Sequence, residues 1–288
     1  MAFKISGTEN TGLFLAAGNN ADEAAGVLLG CPLDDTGSFR TGSRFAPGSV
    51  RMVSPALEEY SLYSKKDLRD LSFFDAGDLK LAPGDTGTSL GAIAGAVSSL
   101  LEKEKKPFLI GGEHTITFGA VQGCLKKYPE LTVLCFDAHA DMRSSYGGAP
   151  YSHASVAYYL RQLAGVHLYQ FGIRSADKEE IKDLPEGSAF FFSLKKPLME
   201  LLPSLRDRSL YISLDIDIVD PAFAPGVTAP EPGGISSGEL LEIFPLLEGL
   251  KENIIAFDLV EICPPYDPSQ ITALLGAKII REALLTFL

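Results

Sequence analysis

The sequence predicts an α/β protein in which helices cover both faces of a mainly parallel central sheet, a three-layer α/β/α architecture. Two observations support this prediction. Short, continuously apolar runs alternate along the chain with segments of helical periodicity, a pattern typical of buried parallel strands joined by helices. Of the 288 residues, 46% are hydrophobic and 22% are charged, as in globular proteins with a large core. We expect a single domain over residues 1–288, because large α/β sheets often reach this size as one unit.

Eight apolar runs are predicted to be strands, because each is short and bounded by polar or turn-forming sequence. Most of them are separated by amphipathic stretches. In chain order the predicted strands are Val27–Gly30, Leu71–Phe74, Phe108–Ile110, Thr132–Phe136, Val166–Phe171, Ala189–Phe192, Leu210–Leu214 and Ile254–Leu259.

Helices are predicted where apolar residues recur every three or four positions, which places them on one face of a helix. One such stripe lies between Asp75 and Phe108, and three further segments show a comparable pattern. The stripe consists of Leu90, Ile93, Ala94, Val97, Leu100 and Leu101, and the further segments are Gly119–Lys127, Ser236–Leu247 and Ser269–Phe287.

The net charge of −12 at pH 7 restricts the classes of partner. An acidic protein repels phosphate backbones and anionic lipid, so nucleic acid and membrane surfaces are excluded as expected partners. The same field would attract a small cationic substrate. Net charge alone does not identify that ligand.

The cysteines and the N-terminus indicate a cytoplasmic protein. Cys31, Cys124, Cys135 and Cys263 show no CxxC spacing, which is typical of reduced thiols. Residues 1–20 lack a basic stretch followed by an apolar one, and no segment approaches the roughly 18 apolar residues of a membrane span. We assign the cysteines no role.

Three predicted strands run directly into acidic and histidine residues. In open parallel sheets, ligands bind beyond the carboxyl ends of the strands. While the chain stays extended, residues at i, i+2 and i+4 project to the same side, which suits the D-x-H-x-D and D-x-D runs found here. The candidate metal ligands are His114, Asp137, His139, Asp141, Asp215 and Asp217.

Charge favours two metal ions over one. Four clustered carboxylates carry four negative charges, and a single dication would leave half of them unpaired in a partly buried site. The oxygen and nitrogen donors suit Mn²⁺ and also admit Co²⁺, Ni²⁺ or Zn²⁺.

Each of these residues alone could instead cap a helix or face solvent. That alternative explains the whole set poorly, because both alternating runs follow uninterrupted apolar strands. The histidine His167 lies within a predicted strand instead, and for it we expect a structural role.

Several motifs in succession resemble the ureohydrolases, the arginase and agmatinase family. Their order and spacing agree with that family over nearly the whole chain. The motifs are Gly111–His114, Phe136–Asp141, Ser152–Ser155, Ser213–Pro221 and Asp258–Glu261, with Gly30–Asp34, Phe39–Pro47 and Phe171–Ser175 as further matching segments.

This resemblance implies an arginase/deacetylase-like fold, two Mn²⁺ per subunit and a homotrimer or homohexamer. Carried over residue by residue, His114 and Asp141 would bind one metal, and His139 and Asp217 the other. Asp137 and Asp215 would bridge both. The implied reaction is attack of a metal-bridging hydroxide on a guanidinium carbon, which releases urea and an amine.

The resemblance also implies three catalytic residues. Asp141 would orient the hydroxide, Glu261 would bind the guanidinium as its carboxylate partner, and His153 would contact the substrate and pass a proton to the leaving amine. The alternatives are a loop salt bridge for Glu261 and a loop hydrogen bond for His153.

Two segments depart from the family pattern. The family usually has Gly-Thr-Gly-Thr-Pro after Asp-Pro, whereas this chain has Pro225–Gly234, and the usual His-Gly is His153-Ala154 here. Both changes affect expected substrate-entrance loops and leave the metal ligands intact. They bear on the identity of the substrate more than on the reaction.

The loop Met142–Ser152 favours agmatine over arginine. In arginases this loop binds the α-carboxylate with Asn and Ser, whereas here it has no Asn, and its length and ending resemble agmatinases. Arg143 would repel the distal ammonium of agmatine if it faced the pocket, and would suit a guanidino acid. Alternatively, Arg143 faces solvent or a neighbouring subunit. For Arg174, a structural role in which it binds loop carbonyls has the same weight as a role in the site.

The resulting hypothesis is Mn²⁺-dependent hydrolysis of agmatine to putrescine and urea. Aminopropylagmatine, a guanidino acid and arginine remain alternative substrates. A metal-binding homologue without turnover is the alternative outside this enzyme class, and the presence of both His153 and Glu261 argues against it.

Overall fold

The computed structural model describes residues 5–9, 11–18, 20–149, 151–182 and 189–288. Within these ranges the chain forms one sheet of nine strands. In chain order the strands are β1 (Thr8–Glu9), β2 (Gly26–Cys31), β3 (Phe73–Leu79), β4 (Lys106–Gly111), β5 (Leu131–Phe136), β6 (Val166–Phe171), β7 (Ala189–Phe191), β8 (Leu210–Asp215) and β9 (Ile254–Val260).

The strands lie in the order β1-β3-β2-β4-β9-β8-β5-β6-β7. All neighbouring pairs are parallel except β1 with β3, which is antiparallel at the sheet edge. The mainly parallel sheet predicted from the sequence is therefore confirmed.

Helices connect the strands and cover the sheet. The α-helices are α1 (Ala46–Val53), α2 (Thr86–Glu102), α3 (Ile116–Leu125), α4 (Val156–Leu160), α5 (Lys178–Lys182), α6 (Lys195–Leu201), α7 (Ser237–Leu241), α8 (Ile243–Leu247) and α9 (Ile271–Phe287). Short 3₁₀ helices lie at Ser43–Phe45, Ser54–Ala56, Leu68–Asp70, His153–Ser155, Leu202–Leu205, Ile216–Ile218, Glu248–Leu250 and Pro264–Tyr266. Among the residues described, none of these helices is both long and apolar enough to cross a membrane.

Consecutive strand residues contribute to two hydrophobic clusters, one on each face of the sheet. Leu28 and Phe108 belong to the cluster that includes α1 and α9, whereas Leu29 and Leu109 belong to the cluster that includes α2 and α3. This alternation follows from the two-residue period of a strand. Burial on both faces explains why the strands are apolar throughout, and the three-layer prediction is confirmed.

Strand β3 is longer than the predicted Leu71–Phe74 and continues through two acidic residues, Asp75 and Asp78. Both are buried beside Arg51 of α1, whose Nε lies 2.8 Å from Asp75 Oδ2 and whose Nη1 lies 2.5 Å from Asp78 Oδ1. A paired carboxylate can be buried where an unpaired one would be too costly. The partner for these acids comes from a helix that the periodicity analysis did not identify.

The predicted helix Ser236–Leu247 is two short helices, α7 and α8, separated at Glu242. Pro245 has no backbone N–H to donate to the carbonyl of Leu241 and its ring crowds that carbonyl, so the helical ladder is interrupted there. The other predicted helices lie within a few residues of α2, α3 and α9.

Candidate active site

The four central strands β4, β9, β8 and β5 are neighbours, so their carboxyl ends meet at one edge of the sheet. Asp215 is the last residue of β8, and Glu261 directly follows β9. Asp137 directly follows β5, and His114 follows β4 by three residues. Parallel strand order thus brings together side chains that are more than 140 positions apart in the sequence, such as His114 and Glu261.

One half of the acidic centre surrounds the ring of His114. Its Nδ1 lies 3.1 Å from Asp137 Oδ2, 3.2 Å from Asp141 Oδ2 and 3.3 Å from Asp215 Oδ2. All four side chains are buried. Within the described part of the chain, neither His114 Nδ1 nor Asp137 Oδ2 has a hydrogen-bond partner, so buried donor atoms face a common centre without being satisfied by protein groups.

The other half of the centre surrounds His139. Its Nδ1 lies 2.9 Å from Asp217 Oδ2 and 3.7 Å from Asp137 Oδ1. The backbone N–H of Asp217 donates to Asp215 Oδ1 at 3.0 Å. Asp137 therefore contacts both imidazoles, and Asp215 lies between the two halves.

The ionisation of this cluster reflects crowding of like charges. Burial, together with the charge of Asp137, raises the pKa of Asp141 to about 7. Burial and the charges of Asp217 and Asp137 raise the pKa of Asp215 well above its usual value. Although burial alone would lower the pKa of His139, the carboxylates of Asp217 and Asp137 raise it strongly. Without a bound cation, the negative charges of these buried carboxylates are not fully neutralised by protein groups, so the site favours the binding of positive charge.

A buried network behind the centre orients His114. Ser213 Oγ donates to Asp258 Oδ1 at 2.7 Å and lies 3.2 Å from His114 Nε2. Because the single hydroxyl hydrogen of Ser213 is used on Asp258, Ser213 accepts from Nε2–H. This tautomer leaves the Nδ1 lone pair directed at the carboxylates, as a metal ligand requires.

Cys135 also contacts His114, but at the ring nitrogen that points away from the carboxylates, with Sγ 3.8 Å from Nε2. Burial raises the pKa of the Cys135 thiol to about 12, so the thiol stays protonated near neutral pH. Among the described residues, two sets of three side chains lie close enough together to hold a metal ion. They are His114 with Cys135 and Asp137, and Asp137 with His139 and Asp217. The donors that face the centre are imidazole nitrogens and carboxylate oxygens.

Glu261 is buried at the margin of the centre. Its backbone is in the left-handed region, with φ of +68°. Its Oε1 accepts from the backbone N–H of His114 at 2.5 Å, and its Oε2 accepts from the hydroxyl of Thr228. Burial raises the pKa of Glu261 to about 8. Thr228 belongs to the loop Pro225–Gly234, whose sequence differs from the family pattern, so that loop contributes directly to the site.

A cavity of about 320 Å³ connects these residues to the surface, and His153, Glu261 and five of the six candidate ligands line it. His153 is half-buried, with Nδ1 3.2 Å from Thr36 Oγ1 and Nε2 3.1 Å from Ser38 Oγ. Burial, together with the charges of His139 and His114, lowers the pKa of His153 to about 4. The imidazole is therefore neutral near pH 7.

At the mouth of this cavity, Arg143 lies beside two acids. Its Nη2 is 3.6 Å from Asp177 Oδ2, and its Nε is 3.8 Å from Glu180 Oε2. The guanidinium also stacks over the ring of Tyr146, with 5.4 Å to the centroid. The positive charge is therefore more than offset by the two carboxylates.

Arg174 binds backbone carbonyls. Its Nη2 donates to Asp217 O at 2.7 Å and to Glu231 O at 2.6 Å. Arg174 thereby links the loop Pro225–Gly234 to the segment after β8 that carries the candidate ligand Asp217. His167, expected to be structural, lies outside the cavity on β6, where it is exposed and 3.6 Å from Glu130.

The structure adds residues that the sequence analysis did not identify. Thr36, Ser38 and Thr228 carry hydroxyl groups that contact His153 or Glu261, and single hydroxyl residues in loops show no spacing pattern. Thr36 and Ser38 lie between the segments Gly30–Asp34 and Phe39–Pro47, and Thr228 lies within Pro225–Gly234. The comparison of these segments with the family pattern was therefore the available signal.

Comparisons with known proteins agree on one family. The sequence profile described as the Arginase family matches residues 24–286. The chain is 45% identical to an agmatinase of Bacillus subtilis over 96% of both chains, and 41% identical to an agmatinase of Halalkalibacterium halodurans over 95% of this chain and 96% of that one. Among solved structures, the agmatine ureohydrolase of Thermoplasma volcanium is 34% identical and superimposes with a TM-score of 0.83 over 99% of this chain and 94% of that one.

Proposed function

This chain belongs to the arginase family, and from that premise we propose that it hydrolyses agmatine to putrescine and urea with the help of two Mn²⁺ ions. It is a hydrolase that acts on C–N bonds of linear amidines. The observation that carries the proposal is one cavity lined by the metal-ligand cluster, by Glu261 and by His153.

The donor atoms of the centre fit two divalent cations. His114 and Asp141 would hold one ion, His139 and Asp217 the other, and Asp137 and Asp215 would contact both. The unsatisfied Nδ1 of His114 and Oδ2 of Asp137 support this assignment, as do four carboxylates that lack matching positive charge. The chemistry that bound cations supply is a water molecule whose pKa is lowered towards neutrality.

Glu261 is proposed to bind the guanidinium group. Each oxygen of a carboxylate can accept two hydrogen bonds, and one site on each is used by His114 N–H and by the Thr228 hydroxyl. The remaining two sites can accept the paired N–H groups of a guanidinium, whose planar fork matches a carboxylate. A substrate cation would also favour the ionised form of this buried acid.

Asp141 and His153 are proposed to handle hydrogen bonds and protons. Asp141 lies beside the cluster and can accept the hydrogen of the attacking water, which directs its lone pair at the guanidinium carbon. His153 is neutral before reaction and can accept a proton and pass it to the nitrogen of the leaving amine.

Charge at the cavity mouth supports agmatine over arginine. Arg143, Asp177 and Glu180 together carry one net negative charge, which suits the distal ammonium of agmatine and opposes the α-carboxylate of arginine. This arrangement also answers the concern that Arg143 would repel agmatine, because the two acids neutralise it.

The test is urea release from purified, Mn²⁺-loaded protein with agmatine, arginine, aminopropylagmatine and 4-guanidinobutanoate. We expect kcat/KM to be highest for agmatine and at least tenfold lower for arginine, which differs from agmatine only in its α-carboxylate. A higher kcat/KM for 4-guanidinobutanoate would refute the substrate assignment, and no urea from any compound would refute the activity. Arg143→Gln, which removes the only cation of the mouth trio, should widen the preference for agmatine over arginine.

Assembly into a homotrimer or homohexamer is also proposed. Large apolar side chains are exposed on the described surface, among them Phe39, Phe45 and Met52 at 70%, 59% and 63%. Exposed apolar groups of this kind commonly mark protein interfaces. Size-exclusion chromatography with light scattering gives the mass, and a monomer of 30.9 kDa would refute this part.

A further inference from the structure

We propose that Glu113 and Thr36 position His153 and set its tautomer, so that Nδ1 carries the hydrogen and Nε2 is the nitrogen that exchanges a proton with the leaving amine. The inference rests on the proposed function, since it concerns how His153 is prepared for that role. Neither Glu113 nor Thr36 is placed in contact with the substrate, and we regard both as positioning residues.

The contact between Glu113 and Thr36 is made by both oxygens of a buried carboxylate. The backbone N–H of Thr36 donates to Glu113 Oε2 at 2.7 Å, and the Thr36 hydroxyl lies 2.9 Å from Glu113 Oε1. Thr115 donates to the same Oε1 at 2.6 Å. Three donors therefore converge on Glu113, which is 1% exposed, and a carboxylate with these partners acts as an acceptor.

The loop that carries Thr36 is brought against Glu113 by close backbone packing. Gly112 lies so near the carbonyl of Leu33 that a Cβ added there would stand 1.9 Å from the Leu33 oxygen. The backbone N–H of Glu113 donates to that same oxygen at 2.8 Å. Only glycine at position 112 permits this approach, and it places Thr36 beside the carboxylate.

The hydrogen-bond direction follows from the count of hydrogens. Thr36 has one hydroxyl hydrogen, and it is used on Glu113. Thr36 Oγ1 can then only accept, and it does so from the backbone N–H of His153 at 3.1 Å and from the ring nitrogen Nδ1 at 3.2 Å. Nδ1 must therefore carry a hydrogen, which leaves the lone pair of the neutral ring on Nε2.

At Nε2 the contact is with an exposed group that can be displaced. Ser38 Oγ lies 3.1 Å away and donates to the Nε2 lone pair. The ring is also held from the side by Tyr146, with ring centroids 5.5 Å apart at 74°. The buried side of His153 is thus fixed by Thr36 and Glu113, while its proton-exchanging side faces the cavity.

Two substitutions disrupt the hydrogen bonds that link Glu113, Thr36 and His153, each in a different way. Thr36→Val keeps the shape of the side chain and removes the hydroxyl. Glu113→Gln keeps the size of the side chain but introduces an amide donor. That donor would direct the Thr36 hydrogen towards Nδ1 and favour the opposite tautomer of His153. We expect Thr36→Val and Glu113→Gln each to lower kcat for agmatine by about 10- to 100-fold, with KM changed less than twofold. Thr36→Ser keeps the hydroxyl and should retain most of the wild-type kcat.

The controls separate positioning from general damage. Thr41→Val makes the same change in the same loop, at an exposed side chain, and should leave kcat unchanged. Metal content and the unfolding midpoint should match wild type in every variant, including Glu113→Gln beside His114. Since Glu113→Gln and Thr36→Val affect different side chains, failure of one to fold leaves the other as the test.

The decisive measurement is a double-mutant cycle with His153→Asn. If Thr36 and Glu113 act through His153, adding Thr36→Val or Glu113→Gln to His153→Asn should change kcat less than twofold. If the loss of kcat in a double variant equalled the product of the losses in its two single variants, this inference would be overturned. It would also be overturned if Thr36→Val and Glu113→Gln kept wild-type kcat while His153→Asn was impaired. Both outcomes would leave the proposed function intact. If the wild-type protein released no urea, or His153→Asn kept wild-type kcat, the proton-transfer role and this inference would fall together.

Discussion

Replacement of Glu261 by Gln tests the guanidinium site most directly. The substitution preserves size, and the amide can still accept from His114 N–H with its oxygen and donate to Thr228 with its nitrogen, the two contacts that hold the wild-type side chain. What it removes is the negative charge. We therefore expect a folded, metal-loaded enzyme that binds the substrate cation poorly.

The size of the effect follows from the position of the side chain. Glu261 is 4% exposed, so water does not screen its contact with a bound cation. A hydrogen bond to a charged group contributes about 1.5–3 kcal/mol, which corresponds to a roughly 10- to 150-fold loss in kcat/KM at about 1.4 kcal/mol per factor of ten. Because the contact also orients the guanidinium carbon, kcat should fall together with the rise in KM.

The assay is steady-state urea release with agmatine, measured beside metal content and thermal unfolding. Glu200→Gln is the matched control, because Glu200 is exposed on α6 and only 4.0 Å from Lys196 as a surface pair. Wild-type kinetics in a fully metal-loaded Glu261→Gln protein would mean that the guanidinium binds elsewhere. A loss confined to stability would instead identify Glu261 as a structural acid.

Four further predictions follow from the charges in the structure. Chelation of metal should lower the unfolding midpoint and Mn²⁺ should restore it, because the unneutralised carboxylates repel one another; identical calorimetric midpoints would contradict the metal centre. Asp217→Asn should reduce metal content towards one ion per subunit, and elemental analysis that finds two tightly held ions with full activity would exclude this ligand. Arg51→Met strands the buried Asp75 and Asp78 and should cost about 3–5 kcal/mol in denaturant unfolding, whereas a cost below 1 kcal/mol would show that the pair is unimportant. Burial lowers the pKa of Lys106 from 10.5 to about 8, so the unfolded chain binds more protons between these values and the free energy of unfolding should rise as pH increases through this window; Lys106→Met should lose that rise, and an unchanged slope in the variant would refute the assignment.

The fold class and the acidic and histidine cluster of candidate metal ligands were predictable because both depend on local patterns. Continuous apolar runs identified the strands from β2 to β9, and alternating acids and histidine identified Asp137, His139 and Asp141 at the end of β5. That Asp215 belongs to the same centre followed from the rule that parallel strands end at one edge of the sheet.

Other features depend on contacts between distant segments, which no local pattern records. Asp75 and Asp78 interrupt the apolar run of β3, so the strand was predicted to end too early. These acids can lie in a buried strand because Arg51 of α1 pairs with them, and that pairing is visible only in the fold. The break in helix Ser236–Leu247 is an exception, because Pro245 is a local signal that the apolar periodicity alone did not take into account. Arg143 could not be assigned from the sequence, since its effect depends on whether Asp177 and Glu180 lie beside it.

The sequence by itself determined which chemical groups are present at each strand end and how many charges must be balanced there. Only the tertiary structure decided their orientation. Tautomers and hydrogen-bond directions depend on atoms brought within about 3 Å, the range over which a hydrogen bond operates. The charge of the cavity mouth depends on two acids that folding places 3.6 and 3.8 Å from Arg143. Thr36 lies 117 positions from His153, and its role arises because folding places its hydroxyl between that ring and the carboxylate of Glu113.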